Sequence, residues 1–264
     1  MSCNSTGGLL IVAVKWDLGV NFSLNRSKVL VLSEDKDIFG GELDNTILKD
    51  QLNLMRVGEP MYVFYGYVED GYDENGHIVY KNMDDDPAIT AADKTIIGDP
   101  NPDFLVNLTT AVSYKGFTLS AFFQSSIGND IYSLSMAAQA YDYGYNGNTL
   151  REVYYNHWSP ENPTAKYPNL DQTSYKMSDR FVYDGSFVRL KNLELAYDVP
   201  CARSKFIKRA RVYVSAQNLF TITSYPFWDP DINANGGGSS MIQGVDSYCY
   251  PSARTYTIGC RLTF

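Results

Sequence analysis

The stretch "RTYTIGCRLTF", residues 254–264, alternates apolar and polar residues without a slip. Tyr256, Ile258, Cys260, Leu262 and Phe264 share one face; Thr255, Thr257, Gly259, Arg261 and Thr263 share the other. A period of two marks a strand with one apolar face. The run ends on an aromatic residue inside the strand, where most chains end in a frayed polar tail.

The same pattern recurs upstream. In 12–25, Val12, Val14, Trp16, Leu18, Val20, Phe22 and Leu24 oppose Ala13, Lys15, Asp17, Gly19, Asn21, Ser23 and Asn25. In 105–114, Val106, Leu108, Val112 and Tyr114 oppose Asn107, Thr109 and Ser113. In 117–124, Phe117, Leu119, Ala121 and Phe123 oppose Thr118, Ser120 and Gln124. In 209–223, Val212, Val214, Ala216, Phe220 and Ile222 oppose Tyr213, Ser215, Gln217 and Thr221. Segments 61–68 and 188–199 also read as strands, the latter with a shift of parity near Lys191 and Asn192 that suggests a bulge. The expectation is seven to eight strands, many near ten residues.

The connections alternate in length. Residues 113–117 make a tight hairpin and 200–209 a short basic link, whereas 69–104, 125–186 and 224–252 are long and rich in Gly, Asn, Asp, Pro, Tyr and Trp. Strands in soluble sandwiches average about five to six residues. A strand that crosses a membrane needs about nine to eleven, with short turns on one side, long loops on the other and aromatic girdles. Strand length and loop asymmetry favour an all-β, antiparallel transmembrane β-barrel portion: an open, curved partial sheet with long extracellular loops and short periplasmic turns. A soluble β-sandwich carbohydrate-binding module is the alternative.

Composition excludes several classes. A net charge of −8 over 264 residues argues against nucleic acid as a partner. The 21 tyrosines and 13 phenylalanines suit strands and wet interfaces. Cys3, Cys201, Cys249 and Cys260 form no CxxC pair. No apolar run is long enough for a transmembrane helix, and "LLIVAV" (9–14) is too short and lacks the basic flank of a signal peptide. His77 and His157 lie in no hydrolase motif, and acidic pairs such as Asp229/Asp231 are ordinary in loops, so no catalytic site and no enzyme is expected.

Thr257, Gly259, Leu262 and terminal Phe264 resemble the C-terminal signal that the barrel-assembly machinery reads in bacterial outer-membrane barrels. Further stretches, in order, are "GDPNPDF" (98–104), "YKGFTLSAFFQSSIGNDIY" (114–132), "HWSPENPTAKYPNL" (157–170), "DGSFVRLKNLELAYDVP" (184–200), "RVYVSAQNLFTITSY" (211–225) and "YPSARTYTIGCRLTF" (250–264). Together they resemble the C-terminal part of a SusC/RagA-type TonB-dependent outer-membrane transporter.

The resemblance implies a closed barrel of about 22 strands around an N-terminal plug, energised by the TonB complex through a missing N-terminal region. It also implies a SusD-like surface lipoprotein, import of glycans or peptides, and a place in the cell outer membrane. Residues 1–264 would then be the C-terminal portion of the barrel, without plug, TonB box or N-terminal strands, and the first methionine would mark a truncated reading frame. The resemblance places 225–252, 125–186 and 69–104 outside the cell and 115–116 and 200–209 in the periplasm. Tyr141, Tyr143, Tyr145, Trp158, Tyr167, Phe227 and Trp228 are then placed to meet ligand or partner; otherwise they pack the loops or form the girdle. Cys201 and Cys249 would lie on opposite sides of the membrane, too far apart to bridge.

One stretch suggests a cation. In 82–93, Asn82, Asp84, Asp86 and Asp93 fall at positions 1, 3, 5 and 12 of a calcium loop. Pro87 stands where the turn wants Gly, and the alternative is a solvated acidic loop. Calcium is therefore the one cofactor suggested, and otherwise none is expected. Lys15, Asp17, Glu194, Arg211 and Arg261 are expected to line a polar lumen.

Overall fold

The structure is a computed structural model that describes residues 2–11, 14–44, 48–141, 148–201, 206–232 and 241–264, the side chains of 2–11 and of Asp44 excepted. Seven strands form one antiparallel sheet in the order β1 Ser2–Ile11, β2 Val14–Ser23, β3 Phe104–Tyr114, β4 Phe117–Ile127, β5 Phe187–Val199, β6 Arg209–Thr223 and β7 Thr255–Thr263. Each strand pairs with its predecessor, so β1 and β7 are the open edges. Among the described residues no helix is long and apolar enough to cross a membrane, which leaves crossing by strands open.

The register aligns the alternation of every strand. One row runs Trp16, Val112, Leu119, Leu195, Val214, Ile258 across β2 to β7. The next runs Asp17, Ala111, Ser120, Glu194, Ser215, Thr257. The first face is apolar and bare: Trp16 is 43% exposed, Leu119 47%, Val214 46% and Ile258 87%. Soluble monomers rarely leave contiguous apolar patches above a few hundred Å² uncovered. Among the described residues no second sheet packs on this face, which disposes of the sandwich. The apolar face suits hydrocarbon, and the Trp16 Nε1–H is satisfied on it by Thr110 Oγ1 at 2.9 Å. The polar face carries charges, several of them paired: Lys15 with Asp17 at 3.2 Å, and Arg211 with Asp198 at 3.6 Å and Glu194 at 3.9 Å, while Arg261 stands opposite Arg211 in the register.

The parity shift in β5 is a bulge. Phe122 and Phe123 of β4 pair with Asn192 and Leu190, leaving Lys191 over. On the other side Leu190 and Asn192 pair with Phe220 and Gln217, so two residues of β6 face Lys191. Asn218 absorbs the extra residue at φ 51°, a left-handed conformation that Asn tolerates. Leu190 and Leu193 thereby both stay on the apolar face, and Arg189 turns to the polar one.

Two strand expectations need correction. Segment 61–68 is no part of this wall: only Val63–Gly66 is a strand, within a separate four-stranded sheet. Val63 and Phe64 are both fully buried, as a strand covered on both faces requires. The remaining wall strand is Ser2–Ile11, whose "CNSTGG" start hides any alternation. The first long segment therefore spans 24–103 rather than 69–104.

The long segments are not loose loops. The described residues of 24–103, 128–186 and 224–254 leave the wall at one end and pack into a body with its own core, which holds Phe64, Tyr67, Tyr80, Tyr132, Tyr141, Val153, Tyr167, Met177, Phe181 and Val245. Two short helices, α1 Leu134–Tyr141 and α2 Arg151–Tyr155, belong to it. Arg180 pairs with Glu69, which also accepts from Ser178 Oγ at 2.6 Å, joining the first and second segments. The Tyr225 hydroxyl donates to Asp246 at 2.6 Å and accepts from the Ser133 hydroxyl at 2.9 Å, joining the second and third. Asn53 Nδ2 donates to the Gln243 carbonyl at 3.1 Å, joining the first and third. Much of the tyrosine excess is spent here. The turn Lys115–Gly116, residues 200–201 and 206–208 of the link, and Phe264 lie at the opposite end of the wall.

Candidate functional site

The loop body joins the polar side of the wall at one end of the strands. Arg189 makes that junction. It lies near the outer end of β5, only 1% exposed, in a row with Asn21, Asn107, Gln124 and Thr221. Its Nε donates to Thr221 Oγ1 at 2.9 Å and its Nη1 to Ser252 Oγ at 3.1 Å, while Nη2 pairs with Asp229. Asp229 also accepts from the amides of Asp231 at 2.9 Å and Ser252 at 2.8 Å. Burial raises the Asp229 carboxyl, but those amides and the guanidinium more than offset it and hold it below the usual carboxylate range. One buried cation thus fixes two stretches of the last outer segment, 228–231 and 250–254, to the rim of the wall.

The sequence-read aromatics divide sharply. Tyr141 is 4% exposed, stacked on Tyr175 at 3.8 Å and edge-on to Phe181, and Tyr167 is 3% exposed. Both are core residues, which corrects their placement as ligand contacts: the body needs large rings to fill its centre. Trp158 is half-buried, with Gly76 beneath its indole, where a Cβ would fall 2.1 Å from Cδ2. Phe227 is half-buried against the core and stacks on Trp228 at 4.7 Å and 19°. Trp228 itself is 57% exposed. Tyr143 and Tyr145 lie outside the described residues. Sequence reading passed over Tyr154, Tyr155 and Tyr250, which are 60%, 64% and 89% exposed; the "YY" of 154–155 on α2 carried the signal.

The acidic stretch does not form a cation shell. Asn82 Oδ1 accepts from the Asp84 amide, Asp84 Oδ1 from the Asp86 amide and Asp86 Oδ1 from the Ala88 amide, each turned to its own backbone. Asp93 is a cap: its carboxylate accepts from Thr90 N and Met83 N, both at 2.7 Å, and these amides lower its pKa. Among the described residues no three His, Cys, Asp or Glu side chains converge as metal ligands. The residues as placed do not fit a calcium ion.

At the other end of the wall, Thr257 and Gly259 face the polar side and Leu262 the apolar side, while Phe264 follows the strand and is 70% exposed. Gly259 pairs with Tyr213, whose ring fills the space a side chain would take. Cys201 and Cys249 stand free at opposite ends of the wall, and Cys260 is exposed on the apolar face.

No family model matches the chain. It is 32% identical over 270 residues to TonB-dependent receptor P3 of Formosa agariphila, covering 94% of this chain and 27% of that protein. It is 28% identical over 259 residues to TonB-dependent receptor SusC of Bacteroides thetaiotaomicron, covering 94% and 24%. In fold it matches a structure of the RagAB peptide importer in its closed-closed state with a TM-score of 0.80 and 24% identity, over 98% of this chain and 28% of that one. The chain spans about a quarter of the length of the relatives it matches.

Proposed function

We propose that this chain, a segment of a SusC/RagA-type TonB-dependent receptor of the outer membrane, forms part of the wall and outer mouth of an active importer of nutrients too large to diffuse in. The observation that carries the reading is the two-sidedness of the sheet. A bare apolar face across six strands calls for lipid, and a polar, charged face calls for an aqueous lumen. The open edges β1 and β7 carry unpaired N–H and C=O groups that hydrocarbon does not tolerate, so further strands close the barrel. Energy comes through the TonB complex, engaged outside residues 1–264, and the barrel-assembly machinery inserts the strands.

The substrate is a glycan or a peptide oligomer, received at the outer body together with a SusD-like lipoprotein. The exposed rings of Tyr154, Tyr155 and Tyr250 give that partner a surface rich in the residue types interfaces prefer. The chain's own residues bind and guide.

The test is uptake of labelled oligosaccharides and oligopeptides by cells carrying the complete receptor, with and without TonB, together with affinity purification of the receptor in detergent. Uptake that requires TonB, and a surface lipoprotein that co-purifies, are expected. Uptake indifferent to TonB would contradict the reading.

A further inference from the structure

The Arg189 hub positions more than the loop backbone. On the rim, β7 pairs with β6 only up to Thr255 opposite Gln217, so 218–223 of β6 runs on with β5 on one side and no strand on the β7 side among the described residues. A cleft of about 350 Å³ opens there, lined by Asn218, Thr221, Trp228, Asp229, Ser252 and Arg254, among others. That is the size of a small ligand pocket.

Two lining side chains are free to act, and both are held in place. Trp228 adjoins the buried Asp229 and is backed by Phe227, so one face of its indole is supported while the residue is 57% exposed. Arg254 lies two residues from Ser252, which is tied to Arg189 and Asp229, and one from Ala253, whose carbonyl accepts from Asn218 Nδ2 at 2.9 Å. The bulge residue therefore anchors the segment that carries Arg254. The other local cations are matched: Arg189 by Asp229, and Lys191 by Asp231 at 3.8 Å. Arg254 is exposed and has no ion-pair or hydrogen-bond partner among the described residues.

A supported indole and a guanidinium left unpaired among the described residues, on one pre-organised cleft, make a specific chemical demand. The indole takes the apolar face of a pyranose ring, and the guanidinium takes a planar or tetrahedral anion through paired N–H donors. We propose that the cleft is a rim subsite for an anionic sugar, one bearing a carboxylate or a sulfate, and that Arg254 sets the preference for charge. The inference rests on the reading of the chain as part of a nutrient importer and narrows its substrate class to acidic glycans.

The experiment is calorimetric titration of the complete receptor in detergent with an oligouronide trimer, a sulfated galactan trimer, the neutral trimer of matching linkage for each, and a tripeptide with a free carboxylate. At least one anionic trimer should bind about tenfold tighter than its neutral counterpart, as one charge-assisted contact is worth; which one does so tells carboxylate from sulfate. Arg254→Gln should erase that preference, so that the anionic trimer binds no tighter than its neutral counterpart. Arg254→Lys should retain part of it, and Trp228→Ala should weaken both kinds of sugar. A preference that survives Arg254→Gln, no preference in the wild type, or binding of the tripeptide alone would each overturn the assignment. TonB-dependent uptake that persists in any of those cases would leave the import reading standing; its absence in the wild type would remove that reading instead.

Discussion

The ring of Tyr213 lies across Gly259 on the neighbouring strand, so that a Cβ at Gly259 would fall 2.4 Å from the ring's Cζ and 2.5 Å from its hydroxyl. The two residues are directly paired on the polar face, and the glycine is the socket for the ring. Gly259→Ala should cost about 1–3 kcal/mol through overpacking and lower the yield of heat-modifiable barrel. Tyr213→Ala in the same chain should restore most of that yield. A double variant no better than Gly259→Ala alone would mean the glycine acts for another reason.

The bare apolar face sets a second expectation. Val214 and Ser215 are neighbours on β6 with opposite orientation. Lys at the lipid-facing position should cost about 2–4 kcal/mol near the midplane and far less on the lumen side. Val214→Lys should therefore depress assembled receptor in outer-membrane fractions much more than Ser215→Lys. Equal yields would refute the face assignment.

Arg189 is the least exposed charge in the wall, and removing it strands Asp229 in a buried site. Arg189→Met should destabilise the last outer segment by about 3–5 kcal/mol, seen as rapid proteolytic nicking within 224–254 while the strands stay intact. Pairing it with Asp229→Asn should recover much of the protection. If both variants are nicked alike, the pair is not the anchor.

The same pair predicts a pH dependence. The Asp229 carboxyl is held below its ordinary value in the folded state. Its stabilisation is then fully present above the unfolded pKa of about 3.9 and is lost as pH falls through the lower folded value. Protection of 224–254 from an acid-tolerant protease should hold from neutral pH down to about pH 4 and decline below it. A decline already complete at neutral pH would have the wrong sign.

The wall was legible because lipid and lumen impose one rule on every strand. Val14–Ser23, Phe104–Tyr114, Phe117–Ile127, Phe187–Val199, Arg209–Thr223 and Thr255–Thr263 all show the period of two, and the parity shift at Lys191 announced its bulge. Ser2–Ile11 escaped because Gly7, Gly8 and the polar run before them leave little contrast between faces. The loop body escaped because short strands carry weak patterns and its ties are distant in sequence. Arg189 and Asp229 are 40 residues apart, and Glu69 and Arg180 are 111 apart. Tyr141 and Tyr167 look like loop aromatics in sequence, and only the packing of three separate segments makes them core.

The central claim is that the sheet stands in the outer membrane with the loop body outside and the short turns in the periplasm. Its most direct test is cysteine labelling on intact cells that carry the complete receptor in a cysteine-free background, with Tyr250→Cys in the outer segment or Lys115→Cys in the short turn. A membrane-impermeant maleimide should label position 250 on intact cells, and position 115 only after the outer membrane is permeabilised. Labelling of position 115 on intact cells, or of position 250 only after permeabilisation, would contradict the account.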